Sequence, residues 1–200
     1  MSLPPGSDRF ITDVLQNRVN RAILERLDDL NLPDAWLVAG CLFQTVWNLQ
    51  AGRPAEAGIR DYDIFYFDGN DLSDPAEALV NQRANALFTD LGVLIEVKNQ
   101  ARVHLWYEGY FGKPYAALAS TREGIDRFLV GSTSVGMRRR AAAGDTRFEV
   151  YAPNGLYDLY SGLLTPNPLT DHGSLFEPKC SDYQQRWPWL TIQPAGPRKH

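Results

Sequence analysis

Asp61 and Asp63 stand one residue apart at the head of an apolar run, in the stretch "IRDYDIFYFD" from Ile59 to Asp68. If the run is a strand, side chains at i and i+2 leave on the same face, roughly 6.5–7 Å apart at the backbone, and Tyr62 leaves on the other. Two carboxylates held together repel unless a cation lies between them. Hard oxygen ligands suit Mg²⁺ or Mn²⁺, and a site built from few carboxylates leaves coordination positions for substrate phosphates. Such a site can stabilise both the attacking and the leaving oxygen of a phosphoryl displacement. Alone, an Asp-x-Asp pair is more often a solvated acidic turn.

Two further features add to the pair. About twenty residues upstream, "AWLVAG" (Ala35 to Gly40) reads as a short buried strand ended by glycine, and a helix follows from Cys41. A helix start offers unpaired backbone N–H groups and the positive end of a dipole, which favours phosphate. Gly40 and Cys41 are the candidate phosphate turn. Downstream, "LIEVKN" alternates, so that Glu96 and Lys98 share one face and Ile95 and Val97 the other. The acids also lead their apolar strand, whereas a metal phosphohydrolase of the kind with its acids after the strand requires the opposite order.

The elements that must position these residues come from periodicity and turn chemistry. Phe10 to Leu30 carries Ile11, Val14, Leu15, Ala22, Ile23 and Leu27 on one helical face. A second helix carries Leu42, Val46 and Leu49. Gln50 to Gly58 is a loop by its Gly and Pro content. Asp74-Pro75-Ala76-Glu77 has the form of a helix start with Asp74 as cap. Val93 to Tyr107 alternates for much of its length, which predicts one long strand or two broken near Asn99. On that reading Arg102 and His104 share a strand face from which they can reach a phosphate or an acceptor, or else serve structure alone. Ser120-Thr121-Arg122-Glu123 is a capping box. "TSVGMRRR" and "TRFEVYA" flank "AAAGD" as a β-hairpin. Asn154 is a cap for a last helix, Leu156 to Leu164. Residues 166–200 read as an irregular tail, anchored by Phe176, Tyr183, Trp187 and Trp189, on a single domain spanning 1–200. The order predicts an α+β (α/β) fold, a small mixed sheet flanked by helices.

The chain has 200 residues, 44% hydrophobic and 22% charged, with a net charge of −4. Nucleic-acid binding is not indicated by that charge, although a local basic patch such as Arg138 to Arg140 fits either a solvated edge or a backbone clamp. Two distant cysteines, Cys41 and Cys180, exclude a zinc ribbon or disulfide scaffold and fit a reducing compartment. His104, His172 and His200 show no metal-ligand spacing. There is no Gly-x-Ser-x-Gly elbow and no P-loop. No run approaches the length of a membrane span, and the opening "MSLPPGSDRF" lacks a signal-peptide core. We expect a cytoplasmic protein with no membrane partner.

The stretches "VAGCLFQTVWN", "RDYDIFYFDGNDLS", "VKNQARVHLWY", "STSVGMR" and "APNGLYDLYSGLLTPNP" together span most of Val38 to Pro168. In this order they resemble the DNA polymerase β-like nucleotidyltransferase superfamily, and within it a bacterial group of small nucleotidyltransferase-family proteins. The resemblance implies that fold, a divalent metal (Mg²⁺ or Mn²⁺) and an NTP substrate. It implies Asp61 and Asp63 as the catalytic metal-binding pair and Gly40 with Cys41 as the phosphate turn. Superfamily members carry a third carboxylate on a neighbouring strand, for which Glu96 is the candidate, as metal ligand or general base. Cys41 and Glu96 depart from the usual residues. The expected function is transfer of a nucleoside monophosphate to an acceptor that is a small molecule, a protein or RNA. The alternative is a catalytically silent nucleotide-binding or protein-interaction module on the same fold.

Overall fold

The computed structural model of the protein describes residues 3–140, 148–170 and 175–193. Its centre is β1 (Trp36–Val38), buried on both faces. β1 pairs antiparallel with β2 (Asp61–Tyr66) on one side and β4 (Gly136–Arg139) on the other. β3 (Leu94–Asn99) runs parallel to β2, and β5 (Phe148–Tyr151) antiparallel to β4. The sheet order is β3-β2-β1-β4-β5, a small mixed sheet in an α+β fold, as expected. The β4–β5 hairpin forms as its alternation predicts; its turn, "AAAGD", lies outside the described residues.

Strand alternation divides the molecule into a thick side and a thin one. Leu37, Tyr62, Ile64, Ile95, Val97 and Met137 face the main core, under helices α1 (Ser7–Val14), α2 (Arg18–Arg26) and α3 (Gly40–Gln50). Trp36 and Val38 face the other way into a small cluster with Ile125 of α6 (Thr121–Asp126). By the same alternation Asp61, Asp63, Phe65, Glu96 and Lys98 belong to this thinly covered side.

Five local expectations are corrected. Phe10 to Leu30 is not one element: α1 and α2 are separated at Asn17, and a 3-10 turn covers Leu27–Leu30. The Asn17 Oδ1 accepts from the amides of Val19 and Asn20, capping α2, while its Nδ2 donates to Thr45 Oγ1 at 3.0 Å and Tyr62 Oη at 3.3 Å. Periodicity alone cannot see a break whose cause is a buried polar side chain. The cap of α4 (Asp74–Leu87) is Ser73, whose Oγ accepts from Ala76 N; Pro75 then follows Asp74 into the first turn. Asn154 donates to Gly131 O and leaves the short α7 (Tyr157–Ser161) without a side-chain cap. Strand β3 stops at Asn99, whose Oδ1 accepts from Ala101 N and starts a 3-10 turn that runs into α5 (Val103–Phe111). Gly162 ends α7, and the segment read as an irregular tail contains α8 (Phe176–Arg186). The paired strands β6 (Leu163–Leu164) and β7 (Thr191–Ile192) tie its two ends to the body. Trp187 and Tyr183 meet Trp47 of α3 edge-on, each with ring centroids 5.3 Å away, and so seat α8 beside α3.

The outer edge of β3 is closed by side chains of α4. The amides of Asn99 and Val97 donate to Glu77 Oε1 (2.7 Å) and Asn81 Oδ1 (2.8 Å). Val97 O accepts from Asn81 Nδ2 at 2.8 Å, and Ile95 O from Asn85 Nδ2 at 3.0 Å. A helix advances about 6.0 Å in four residues and a strand about 6.6 Å in two, so positions i, i+4 and i+8 keep pace with alternate strand residues. Asn81→Ala leaves a donor and an acceptor of Val97 unpaired; urea denaturation is expected to show a loss of roughly 1–3 kcal/mol. Asn81→Gln, which cannot keep the same reach, is expected to recover little of it.

Candidate active site

The register of three strands builds the site. Val38 of β1, Asp63 of β2 and Glu96 of β3 stand in one cross-strand row. Two residues beyond Val38, α3 begins at Gly40. The helix start therefore opens beside Asp63 because of the sheet register, although the two are distant in sequence. Ala39, between strand and helix, has φ 60° and ψ −131°. That conformation costs a residue with a Cβ on the order of 1–3 kcal/mol. It is held by Ala39 N donating to Val135 O and by Ala39 O accepting from the amides of Leu42 and Phe43. The amides of Gly40 and Cys41, in the first turn, have no acceptor within the helix. A Cβ on Gly40 would meet Gln44 Nε2 at 2.8 Å, so a larger residue would displace the Gln44 side chain.

Asp63 is crowded by negative charge. Burial first, then the charges of Asp61 and Glu96, push its carboxyl up to about 7, with Lys98 and Lys179 pulling the other way. The other two acids of the sequence reading thus both act on Asp63. Among the described residues, however, no three His, Cys, Asp or Glu side chains close into a metal cage by themselves. The donor set suits a cation that takes two carboxylates here and its remaining ligands from a substrate.

A cleft of about 690 Å³ opens beside Asp63, lined by Asp61, Asp63, Phe65, Gly40 and Gln44 among others, while Glu96 does not border it. Its cationic lining is Arg60, Arg127, Lys179 and Arg186, and Asp182 also borders it. Sequence reasoning singled out none of these five. Arg127 ends the capped helix α6, and Lys179, Asp182, Tyr183 and Arg186 recur at the i, i+3, i+4, i+7 spacing of a helix face. That spacing is a signal only once residues 176–186 are read as a helix. Phe65 and Phe128 meet edge-on at 5.7 Å in the cleft.

Three expected site residues lie elsewhere or face elsewhere. The Cys41 thiol donates to Val38 O at 3.3 Å and is fully buried, and burial pushes its pKa well above the ordinary thiol value. Only the Cys41 backbone belongs to the helix start. Arg102 is not on a strand: it donates to Leu72 O and to Glu77 Oε2 (2.7 Å) and pairs with Asp74, fastening the loop before α4. His104 is on α5 with a buried Nδ1 that has no protein partner, and neither residue borders the cleft. Arg138 is held by Asp34 (2.9 Å) and Glu149 (2.8 Å), a structural network in place of a clamp.

The strain on Asp63 has a stability cost with a definite sign. A carboxyl whose pKa is raised on folding favours the folded state most when protonated, so that contribution is complete below the ordinary value of about 4 and is lost as pH rises towards about 7. A tenfold change in proton affinity is worth about 1.4 kcal/mol. Metal-free Asp63→Asn is therefore expected to be more stable than the native protein by roughly 2–4 kcal/mol at pH 8 and by little at pH 4, read by thermal melting in EDTA.

A family model described as nucleotidyltransferase matches residues 25–192. No curated protein matches the chain. A solved NMR structure, described as revealing a CCA-adding enzyme head domain, is similar over 94% of this chain and 96% of that one, with a TM-score of 0.76 and 25% identity. The family match includes β1, the start of α3, the acidic strand β2 and helix α8. The chain belongs to the nucleotidyltransferase family.

Proposed function

We propose that the cleft binds an NTP with a divalent cation, Mg²⁺ or Mn²⁺, and transfers its nucleoside monophosphate to a hydroxyl acceptor. The observation that carries this reading is the row Val38–Asp63–Glu96, which sets the α3 start beside two carboxylates that repel each other. Asp61 and Asp63 would hold the cation, and triphosphate oxygens would complete its coordination. When bound, the cation supplies charge neutralisation at the reacting phosphate. The Gly40 and Cys41 amides receive the outer phosphates, and Arg127 and Lys179 neutralise them. The acceptor oxygen forms a bond to the α-phosphorus while the bond to the β-phosphate oxygen breaks and pyrophosphate leaves. Glu96, one strand further out and paired in register with Asp63, would take the acceptor proton.

The Cys41 thiol, turned to Val38 O, and Glu96, outside the cleft lining, favour one competing reading, a nucleotide-binding module without turnover. The two part on pyrophosphate release. With Mg²⁺ and each NTP over an acceptor panel, the native protein is expected to release pyrophosphate. Asp61→Asn and Asp63→Asn are expected to lose activity on the order of a hundredfold or more, and EDTA to abolish it. Arg127→Gln is expected to raise KM for the NTP more than it lowers kcat. Metal-dependent NTP binding without release over the whole panel would establish the silent module instead.

A further inference from the structure

Arg60 and Arg186 line the cleft, yet no carboxylate lies within ion-pair distance of either, nor of neighbouring Arg53, among the described residues. Carboxylates are not scarce, since the chain has 24 acidic residues against 20 Lys and Arg. Arg102, Arg122 and Arg138 each have a carboxylate partner. Arg186 is also not a loose surface side chain. Its Nη2 donates to Gly58 O at 3.0 Å, and its guanidinium lies 4.2 Å from the centre of the Trp187 ring. Gly58 has φ 68°, and a Cβ there would come within 3.1 Å of that nitrogen, so the loop is shaped around the guanidinium. Burial and the charges of Arg60 and Arg53 all weaken the hold of Arg186 on its proton. Two like charges bordering a cleft, Arg186 held in place and Arg60 beside it, suit an anion that joins them.

Topology puts this cluster on one flank of the α3 start, since Arg60 immediately precedes β2 and Arg186 bonds Gly58 O just before it. At the end of β1 from which α3 leaves, segment 130–135 enters β4 on one side, and Arg60 enters β2 on the other. Thr133, in that segment, borders the cleft on the β4 side. Displacement at phosphorus is in line, so the entering oxygen and the leaving pyrophosphate occupy opposite sides of the α-phosphorus. With pyrophosphate at the α3 start and towards β4, the acceptor approaches from the β2 flank, where Arg60 and Arg186 stand.

We propose that Arg60 and Arg186, with Arg53 beside them, form a second anion subsite that binds a phosphate group on the acceptor, so that the acceptor is a phosphorylated alcohol. The proposal rests on the nucleotidyl-transfer reading above. Calorimetry on the full chain tests it with three probes: inorganic phosphate, glycerol 3-phosphate as a monoester, and an adenylyl dinucleotide without terminal phosphate as a diester. Each is titrated alone and with Mg²⁺ and a non-hydrolysable ATP analogue bound. Phosphate is expected to bind with the analogue in place. Arg60→Gln, in an exposed loop, is expected to weaken phosphate roughly threefold or more, and the Arg60→Gln/Arg186→Gln pair roughly tenfold or more. The analogue's own affinity is expected to stay within about threefold in both. Glycerol 3-phosphate or the dinucleotide, whichever binds more tightly, identifies the source of the phosphate. Loss of phosphate binding when the analogue is bound would assign these arginines to the triphosphate and overturn the proposal, as would unchanged phosphate affinity in folded Arg60→Gln. Phosphate binding with no binding of the analogue would instead overturn the nucleotidyl-transfer reading and the acceptor assignment with it.

Discussion

Hydrogen-bond register across three strands is the constraint on which the site depends. Val38, Asp63 and Glu96 occupy one row because β1 runs antiparallel and β3 parallel to β2. A slip of one residue in β2 would send Asp61 and Asp63 into the main core and Tyr62 and Ile64 to the cleft. Burying two carboxylates under α3 is costly enough that the wrong register is excluded by the same side chains that define the site. The row also fixes where α3 starts, since only Ala39 separates Val38 from the helix.

Behind the row lies a polar layer in an otherwise apolar core. Asn17, Asn20 and Thr45 are fully buried, and Tyr62 nearly so. Asn17 and Asn20 both donate to Thr45 Oγ1, which itself donates to Cys41 O at 2.7 Å; Asn20 Nδ2 donates to the same carbonyl. The network fastens α2 to the first turn of α3 and, through Tyr62, to the acidic strand. Directional bonds of this kind specify one arrangement where apolar contacts alone would tolerate several. The strained backbone of Ala39 is thus flanked by bonded groups: Val135 on the β4 side and this network beneath.

What could be read from the residues follows from the reach of each signal. Strand alternation is local, so the shared face of Asp61 and Asp63, and that of Glu96 with Lys98, was legible before any coordinates. The turn at Gly40 was legible because glycine after an apolar run marks a strand-to-helix change. Arg102 and His104 were misplaced because "VHLWY" carries strand-forming residues into a helix, and the deciding event is the Asn99 side chain bonding Ala101 N. Helix α8 was hidden by its composition: Pro178 in its first turn and a weak apolar stripe leave it with little local signature. Its position comes from Tyr183 and Trp187 meeting Trp47, a contact between parts of the chain more than a hundred residues apart. Arg127, Lys179, Asp182 and Arg186 could not be found from sequence because the fold alone brings them to the cleft.

The side-chain ladder from Glu77, Asn81 and Asn85 also has a consequence for assembly. An edge strand is ordinarily a template on which another chain can lay a strand of its own. At β3 the outward amides and carbonyls are already answered by a helix of the same molecule, so the template offers nothing to copy. Recruitment of an extended peptide, or of a second molecule by sheet continuation, is closed on the side of the molecule that carries Glu96. Any association there has to work through side-chain surfaces, which leaves the acidic row free of the conformational demands of a partner's backbone.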